Sequence, residues 1–444
     1  SMDLSKPFVA DREFPTATGP ADYMLYVERK AIGTIEAKAE GSTLLGVETQ
    51  ADRYAQGFSE TAASKGLPFW QDPLPFHYMS TGTETLFTNR LDPEFRPREV
   101  FAFHRGAHLA QLASNGSIRD GVFDLQSLDT KDLRACQIDA INGLEDSLRA
   151  NRSRALVEMA TGGGKTVAAI AQSYRLLRYG KAKRILFLVD RRNLGKQARD
   201  EFQNWQAPDD GRKFGELFPV QLLTSNRLDS ASSVVITTIQ RLYSMLKGEE
   251  EYDAEREDIS AWESGDAFDQ TMEVAYQPKV PIETFDLIFI DECHRSIYGR
   301  WGQVLDYFDA FQVGLTGTAS RETYGYFSNN ILGEARRPNV VSQYTYEQSV
   351  LDGVNVDYNV YRIKTEISEG GSRLDAGEWV ELRDKETRAR DPHELEEDFD
   401  YTQEDLDKAV VATNQIRTVV RAFRDGLPSL FPGRATVPKT VGFC

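Results

Sequence analysis

The chain has 444 residues, 40% of them apolar and 27% charged, an ordinary globular composition with room for two or three domains. A net charge of −17 excludes a protein coated in basic surface that holds nucleic acid by bulk attraction, while leaving room for a local basic groove. The three cysteines, Cys136, Cys293 and Cys444, are too few and too scattered for a disulfide framework or a zinc site, and no stretch approaches the roughly eighteen consecutive apolar residues of a membrane span, so a reducing, cytoplasmic setting without a membrane partner is expected.

Residues 1–130 mix short alternating runs with turn signals, such as the proline-flanked Phe69–Tyr78, and read as an α+β domain. Asp22 opens a strand, Tyr23–Glu28, which a turn at Arg29-Lys30 returns as Ala31–Ala39. In an antiparallel hairpin centred near Arg29, Asp22 falls opposite Glu36, with Cβ atoms about 5 Å apart. Lys38, two residues on, shares the face of Glu36. Asp22, Glu36 and the Ala37 carbonyl can then bind a divalent metal while Lys38 positions or helps activate a water. Phosphodiester hydrolysis needs this combination, because charge builds on phosphorus and on the leaving oxygen. On this stretch alone, cross-strand ion pairing accounts for the same residues equally well.

Residues 131–338 change character. A helical pattern starts at Asp132, with Leu133, Ile138, Ile141, Leu144 and Leu148 at helical spacing. Strands then alternate with helices, at Ala155–Glu158, Arg184–Val189, Val234–Thr238, Phe285–Ile290 and Gln312–Leu315, the pattern of an α/β parallel sheet with crossover helices and a RecA-like core. The first strand runs into Thr161-Gly162-Gly163-Gly164-Lys165-Thr166 and an alanine-rich helix. Glycines let backbone N–H groups close around phosphate oxygens, Lys165 reaches the β- and γ-phosphates, and the Thr166 hydroxyl is placed to hold Mg²⁺, so ATP is the expected ligand. The strict pattern has a glycine where this chain has Met159. The buried run Phe285–Ile290 ends in Asp291-Glu292, a carboxylate pair at the edge where such sheets bind ligands. Asp291 would hold Mg²⁺ through water, and Glu292 would orient or deprotonate the attacking water.

Acidic runs at 248–273 and 388–407 read as solvated loops or exposed helix faces. Residues 339–444 read as the start of a second RecA-like domain, with Lys439–Cys444 as a strand just beginning. ATP hydrolysis in this kind of fold takes place between two such domains, so nucleotide binding with poor turnover is expected of these residues alone.

The order of motifs from Leu133 to Ser320 resembles superfamily 2 helicases and translocases. By that resemblance, Leu133-Arg134-Ala135-Cys136-Gln137 holds a glutamine that reads the adenine edge, with Cys136 where an aromatic residue is common. Arg191 and Arg192, after Leu186–Val189, would meet nucleic-acid phosphate, and Thr237–Arg241 would make a second contact through Thr238 and Gln240. His294, Thr316 and Thr318 would couple hydrolysis to domain movement, although Gly317 and Ala319 replace the usual alanine and proline. Asp22, Glu36, Ala37 and Lys38 resemble the PD-(D/E)xK nucleases, and Gln50 and Tyr54 the Gln-x-x-x-Tyr of their RecB-like branch. Together with Arg295-Ser296-Ile297-Tyr298-Gly299, Tyr346-Glu347-Gln348-Ser349 and Phe431-Pro432-Gly433-Arg434, the chain resembles the R (restriction, motor) subunit of type I restriction enzymes. The resemblance implies ATP-driven translocation of double-stranded DNA and cleavage of unmethylated DNA away from the recognition site. It also implies partner subunits that supply specificity and methylation. The competing readings are a superfamily 2 DNA or RNA helicase whose amino-terminal domain only docks, and a DNA-binding scaffold.

Overall fold

The computed structural model describes residues 6–16, 19–41, 66, 68–253, 257–258, 274–297, 300–328, 336–358, 360, 372–374, 379–383, 390–394, 399–401, 413–434, 436 and 439–440. The chain divides into two compact units at Val356/Asp357. The first holds two sheets.

The amino-terminal sheet has six strands in sequential order: β1 (Phe8–Thr16), β2 (Gly19–Val27), β3 (Lys30–Ala37), β4 (Phe76–Ser80), β5 (Thr85–Asn89) and β6 (Arg98–Glu99). All neighbours are antiparallel except β3 and β4, which run parallel. The β2–β3 turn is Glu28-Arg29, both with positive φ (48° and 68°), a two-residue turn whose twist matches that of the flanking strands. This corrects the expected turn at Arg29-Lys30. Val27 therefore faces Lys30 and Tyr26 faces Ala31, but Leu25 faces Gly33, so Ile32 is an extra residue in β3. The bulge shifts the pairing to Tyr23 opposite Ile35, and the next pair in that register is Asp22 and Glu36. Gly33 is required where it stands, because a Cβ there would lie 2.4 Å from the Phe76 carbonyl oxygen of β4.

The second sheet has seven strands, all parallel, in the order β13-β7-β12-β11-β8-β10-β9. These are β7 (Arg154–Met159), β8 (Ile185–Val189), β9 (Val220–Leu222), β10 (Val234–Thr238), β11 (Leu287–Asp291), β12 (Phe311–Thr316) and β13 (Val340–Tyr344). Near-continuous apolar runs such as Ile185–Val189, buried throughout, suit strands covered on both faces. Alternate residues feed two cores. Ala155, Val157, Ile185, Phe187, Val234 and Phe289 pack with the helices Ala135–Arg149 and Lys165–Arg178. Leu156, Leu186, Val235, Ile288 and Ile290 join a core that also takes Val27, Ile32, Phe76, Tyr78 and Phe87 from the six-stranded sheet. The two sheets are thus fused through shared apolar packing.

One domain boundary differs from expectation. Residues 340–344, assigned from sequence to a second RecA-like domain, form the edge strand beside β7, and the unit continues to Val356. Val340, Val341 and Tyr344 have apolar surface to bury against the first core, and β7 offers them an open edge. In the second unit the described residues form two antiparallel pairs, Ser372–Leu374 with Phe399–Tyr401 and Trp379–Arg383 with Arg390–Glu394, and a helix, Thr413–Leu430. Residues 439–440 are not in a strand, and 441–444 lie outside the described residues. No helix among the described residues is long and apolar enough to cross a membrane.

Candidate functional site

β7 delivers the chain to its carboxyl edge at Met159, where Ala160–Gly163 makes a tight turn. The Gly163 N–H donates to the Ala160 carbonyl at 3.0 Å, and Gly162 takes φ 86° at the third position, where a side chain would be strained. Gly164, at φ 90°, then starts the helix Lys165–Arg178. Two strands away in the same sheet, β11 ends at Asp291, followed by Glu292 in the left-handed region at φ 46°. Lys165 Nζ lies 3.5 Å from Glu292 Oε1, so the lysine of one edge loop and the carboxylate of the other meet. Burial, then the neighbouring Glu292 charge, push Asp291 up to about 6, with Lys165 pulling the other way. Such a carboxylate favours a cation beside it. Thr166 is half-buried at the start of its helix.

β12 lies between β7 and β11 and ends at Thr316. The Thr316 hydroxyl lies 2.9 Å from His294 Nδ1 and accepts the Thr318 N–H at 3.0 Å. His294 also sits 3.6 Å from Glu292, and burial lowers its pKa, which favours the neutral ring. The three residues read as coupling elements therefore form one chain of contacts onto Glu292. Gln137 is buried and bonded to the chain itself. Its amide N–H donates to the Gly163 carbonyl at 3.1 Å, and its side-chain carbonyl accepts the Arg134 N–H at 2.9 Å. It braces the phosphate loop, and its reach toward a base edge is limited accordingly.

The second cluster lies in the amino-terminal sheet. Asp22 Oδ2 accepts the Ala37 N–H at 2.7 Å, and Lys38 Nζ lies 3.7 Å from Glu36 Oε2. Lys38 is fixed by donating its own N–H to the Ser80 carbonyl at 2.8 Å, which anchors it across the β3–β4 pair. Glu36 is buried, and its Oε1 has no hydrogen-bond partner among the described residues. Burial and then the Asp22 charge push it up to about 7, against the pull of Lys38. A buried carboxylate with one oxygen unspent beside a second carboxylate fits a divalent cation. Among the described residues no three His, Cys, Asp or Glu side chains converge, so the Ala37 carbonyl and water would complete such a set. Gln50 and Tyr54 lie outside the described residues.

The expected nucleic-acid contacts divide. Arg191 and Arg192 are partly exposed where β8 passes into the helix Arg192–Asn204, with Arg191 Nε 3.5 Å from Asp190. Thr238 and Gln240 are buried instead, a correction to the reading of both as surface contacts. Thr238 caps the helix Ile239–Leu246 by accepting the Arg241 N–H, and its hydroxyl donates to Glu257 at 2.7 Å. Arg241 closes the same pocket with a two-point pairing to Glu257 at 2.9 and 2.6 Å.

Sequence reasoning missed the polar junction between the sheets. Asp309, just before β12, accepts from Arg98 Nε and Nη2 at 2.7 and 2.8 Å. His104 Nε2 lies 2.8 Å from the same carboxylate, and the Tyr78 hydroxyl of β4 lies 2.7 Å from His104 Nδ1. Arg98 and Asp309 are 211 positions apart, and no local pattern announces the group.

Residues 130–321 match the family model described as type III restriction enzyme, res subunit, and residues 6–82 match that of the type I restriction enzyme EcoKI endonuclease subunit second domain. The type I restriction enzyme EcoKI endonuclease subunit of Escherichia coli strain K12 is 26% identical over 449 aligned positions, covering 88% of this chain and 35% of that protein. The EcoAI endonuclease subunit of Escherichia coli is 30% identical over 318 positions, 71% of this chain and 32% of that protein. The SsaAORF53P endonuclease subunit of Staphylococcus saprophyticus is 24% identical over 333 positions, 72% and 32%. The chain spans about a third of the length of these relatives. It is a relative of the endonuclease subunits of type I restriction enzymes.

Proposed function

We propose that this chain is the nuclease and first motor portion of an ATP-dependent DNA translocase and endonuclease of a type I restriction-modification system. The assembled enzyme would pull double-stranded DNA and cut it, where unmethylated, away from the recognition site, together with specificity and methyltransferase subunits in the cytoplasm. The observation that carries the reading is the fusion of two chemically distinct centres in one packed unit. One is the phosphate loop facing Asp291-Glu292, and the other is Asp22, Glu36 and Lys38 on β2 and β3.

In the motor, the loop N–H groups and Lys165 take the triphosphate, Thr166 and Asp291 would hold Mg²⁺, and Glu292 orients the attacking water. His294 carries the state of Glu292 to Thr316 and so to β12. In the nuclease, Asp22, Glu36 and the Ala37 carbonyl would hold the metal, which when bound supplies charge stabilisation at the scissile phosphate. Lys38 positions the water and stabilises the developing negative charge. Arg191 and Arg192, partly exposed after β8, would touch DNA phosphate.

Lys38→Ala in the full subunit, assembled with its partners, tests the nuclease half. Cleavage of unmethylated circular DNA is expected to fall on the order of 100-fold or more, with DNA-stimulated ATP hydrolysis retained. Cleavage at the wild-type rate would reduce the amino-terminal sheet to a docking role.

A further inference from the structure

The backbone of the phosphate loop is held from outside, one carbonyl at a time. The Thr161 carbonyl accepts Asn355 Nδ2 at 2.8 Å, the Gly162 carbonyl accepts Arg134 Nη1 at 2.6 Å, and the Gly163 carbonyl accepts Gln137 Nε2 at 3.1 Å. Three consecutive carbonyls are therefore turned outward by side chains from two distant segments. A loop that binds phosphate must present its N–H groups inward, and each peptide has only one orientation to give. Gly162 and Gly164, with φ of 86° and 90°, supply freedom rather than direction. The direction comes from the donors.

Asn355 is itself placed by local structure. The helix Tyr346–Leu351 ends at Asp352, and Gly353 turns the chain back at φ 70°. The N–H groups of Val354 and Asn355 both return to the Ser349 carbonyl, at 2.8 and 3.0 Å. Asn355 Nδ2 donates also to the Ser349 hydroxyl at 2.8 Å, and Ser349 is fully buried. Its amide is thus aimed before any nucleotide arrives. Arg134 is fixed in the same way, since its N–H is taken by the Gln137 side chain while its guanidinium reaches Gly162.

We propose that Asn355, with Arg134, is a positioning residue of the nucleotide site: Asn355 turns the Thr161–Gly162 peptide so that the Gly162 N–H faces the triphosphate, and Arg134 steadies the turn in which the Gly163 N–H returns to the Ala160 carbonyl. This rests on the reading of residues 161–166 as an ATP site. Neither residue need touch the reacting atoms. Removing either lets the loop relax into orientations that must be reversed on binding, so affinity drops while the chemistry of the bound state is preserved.

The test measures ATP affinity by calorimetry, and KM and kcat for DNA-stimulated hydrolysis, in the full subunit carrying Asn355→Ala, Arg134→Ala or Lys165→Ala. Asn355→Ala is expected to raise Kd and KM about three- to tenfold with kcat within about twofold. Arg134→Ala, at an exposed position where misfolding is not in question, should shift KM in the same direction. Arg134→Lys should restore most of the loss by keeping a donor to the Gly162 carbonyl. Unchanged Kd in both alanine variants, while Lys165→Ala abolishes binding, overturns the proposal and leaves the ATP site standing. A fall in kcat at constant KM also overturns it, by making these residues part of the chemistry. Failure of the wild type to bind ATP refutes the nucleotide reading beneath it.

Discussion

Glu36 sits in β3 with one oxygen near Lys38 and the other unspent, beside a second carboxylate that disfavours its charge. A site whose groups serve a ligand better than they serve one another stores instability that a simpler residue would relieve. Glu36→Gln keeps the shape and removes the charge. Its urea midpoint at neutral pH, measured with chelator present, is expected to equal or exceed that of the wild type, while cleavage is lost. A markedly lower midpoint would show Glu36 to be a structural ion-pair partner of Lys38. Much of the geometry at this scale was legible in the sequence: Lys165 meets Glu292 across the sheet edge, and Asp22, Glu36 and Lys38 lie together on β2, β3 and the residue after it. Thr238 was not legible as buried, because its placement depends on Arg241 and Glu257, which reach the same pocket from 16 positions apart.

At the scale of the element, the hairpin carries the nuclease reading by a route that alternation alone does not reveal. A hairpin centred near Arg29 and a two-residue turn at Glu28-Arg29 with a bulge at Ile32 give the same opposition of Asp22 and Glu36. Without the extra residue the turn would set Asp22 against Ile35, and a one-residue slip puts side chains on the opposite face. Gly33, next to the bulge, lets β3 approach β4. Gly33→Ala must separate the strands or bend β3, and is expected to cost about 1–3 kcal/mol in denaturant unfolding. No loss of stability would mean that the β3–β4 contact relaxes freely. The alternation of strands and helices from residue 154 made the parallel sheet readable, but β13 was assigned to the wrong domain. Nothing in Val340–Tyr344 itself says which sheet edge it will join.

The two sheets of the first unit are joined by the apolar core they share and by the network around Asp309. Burial alone would raise the pKa of Asp309, but Arg98 and then His104 hold it well below the usual carboxylate range. Its contribution to stability is therefore present above an unfolded carboxyl pKa of about 3.9 and lost as pH falls below that. His108, stacked on His104, is pushed down to about 3 by burial and then by the His104 charge. A ring held neutral in the fold but protonated when unfolded lowers stability as pH falls from about 6.5 toward 3. Both groups act in the same direction, so unfolding free energy should decline from near neutrality into acid. Asp309→Ala removes the closer of the two carboxylates on buried Arg98 and leaves it only Asp92 at 3.4 Å, and is expected to cost about 3 kcal/mol at pH 7. His108→Leu should flatten the decline between pH 6.5 and about 4. A pH-independent stability in the wild type would contradict this account of the junction.

The most direct test of two centres in one unit compares wild type, Glu36→Ala and Lys165→Ala in the full subunit with its partner complex, following ATP hydrolysis and cleavage of unmethylated circular DNA in the same reaction. Loss of cutting in both variants, with ATP hydrolysis surviving only in Glu36→Ala, is the predicted result. Cutting that persists in Glu36→Ala would place the nuclease elsewhere, and ATP hydrolysis that persists in Lys165→Ala would contradict the phosphate-loop site itself.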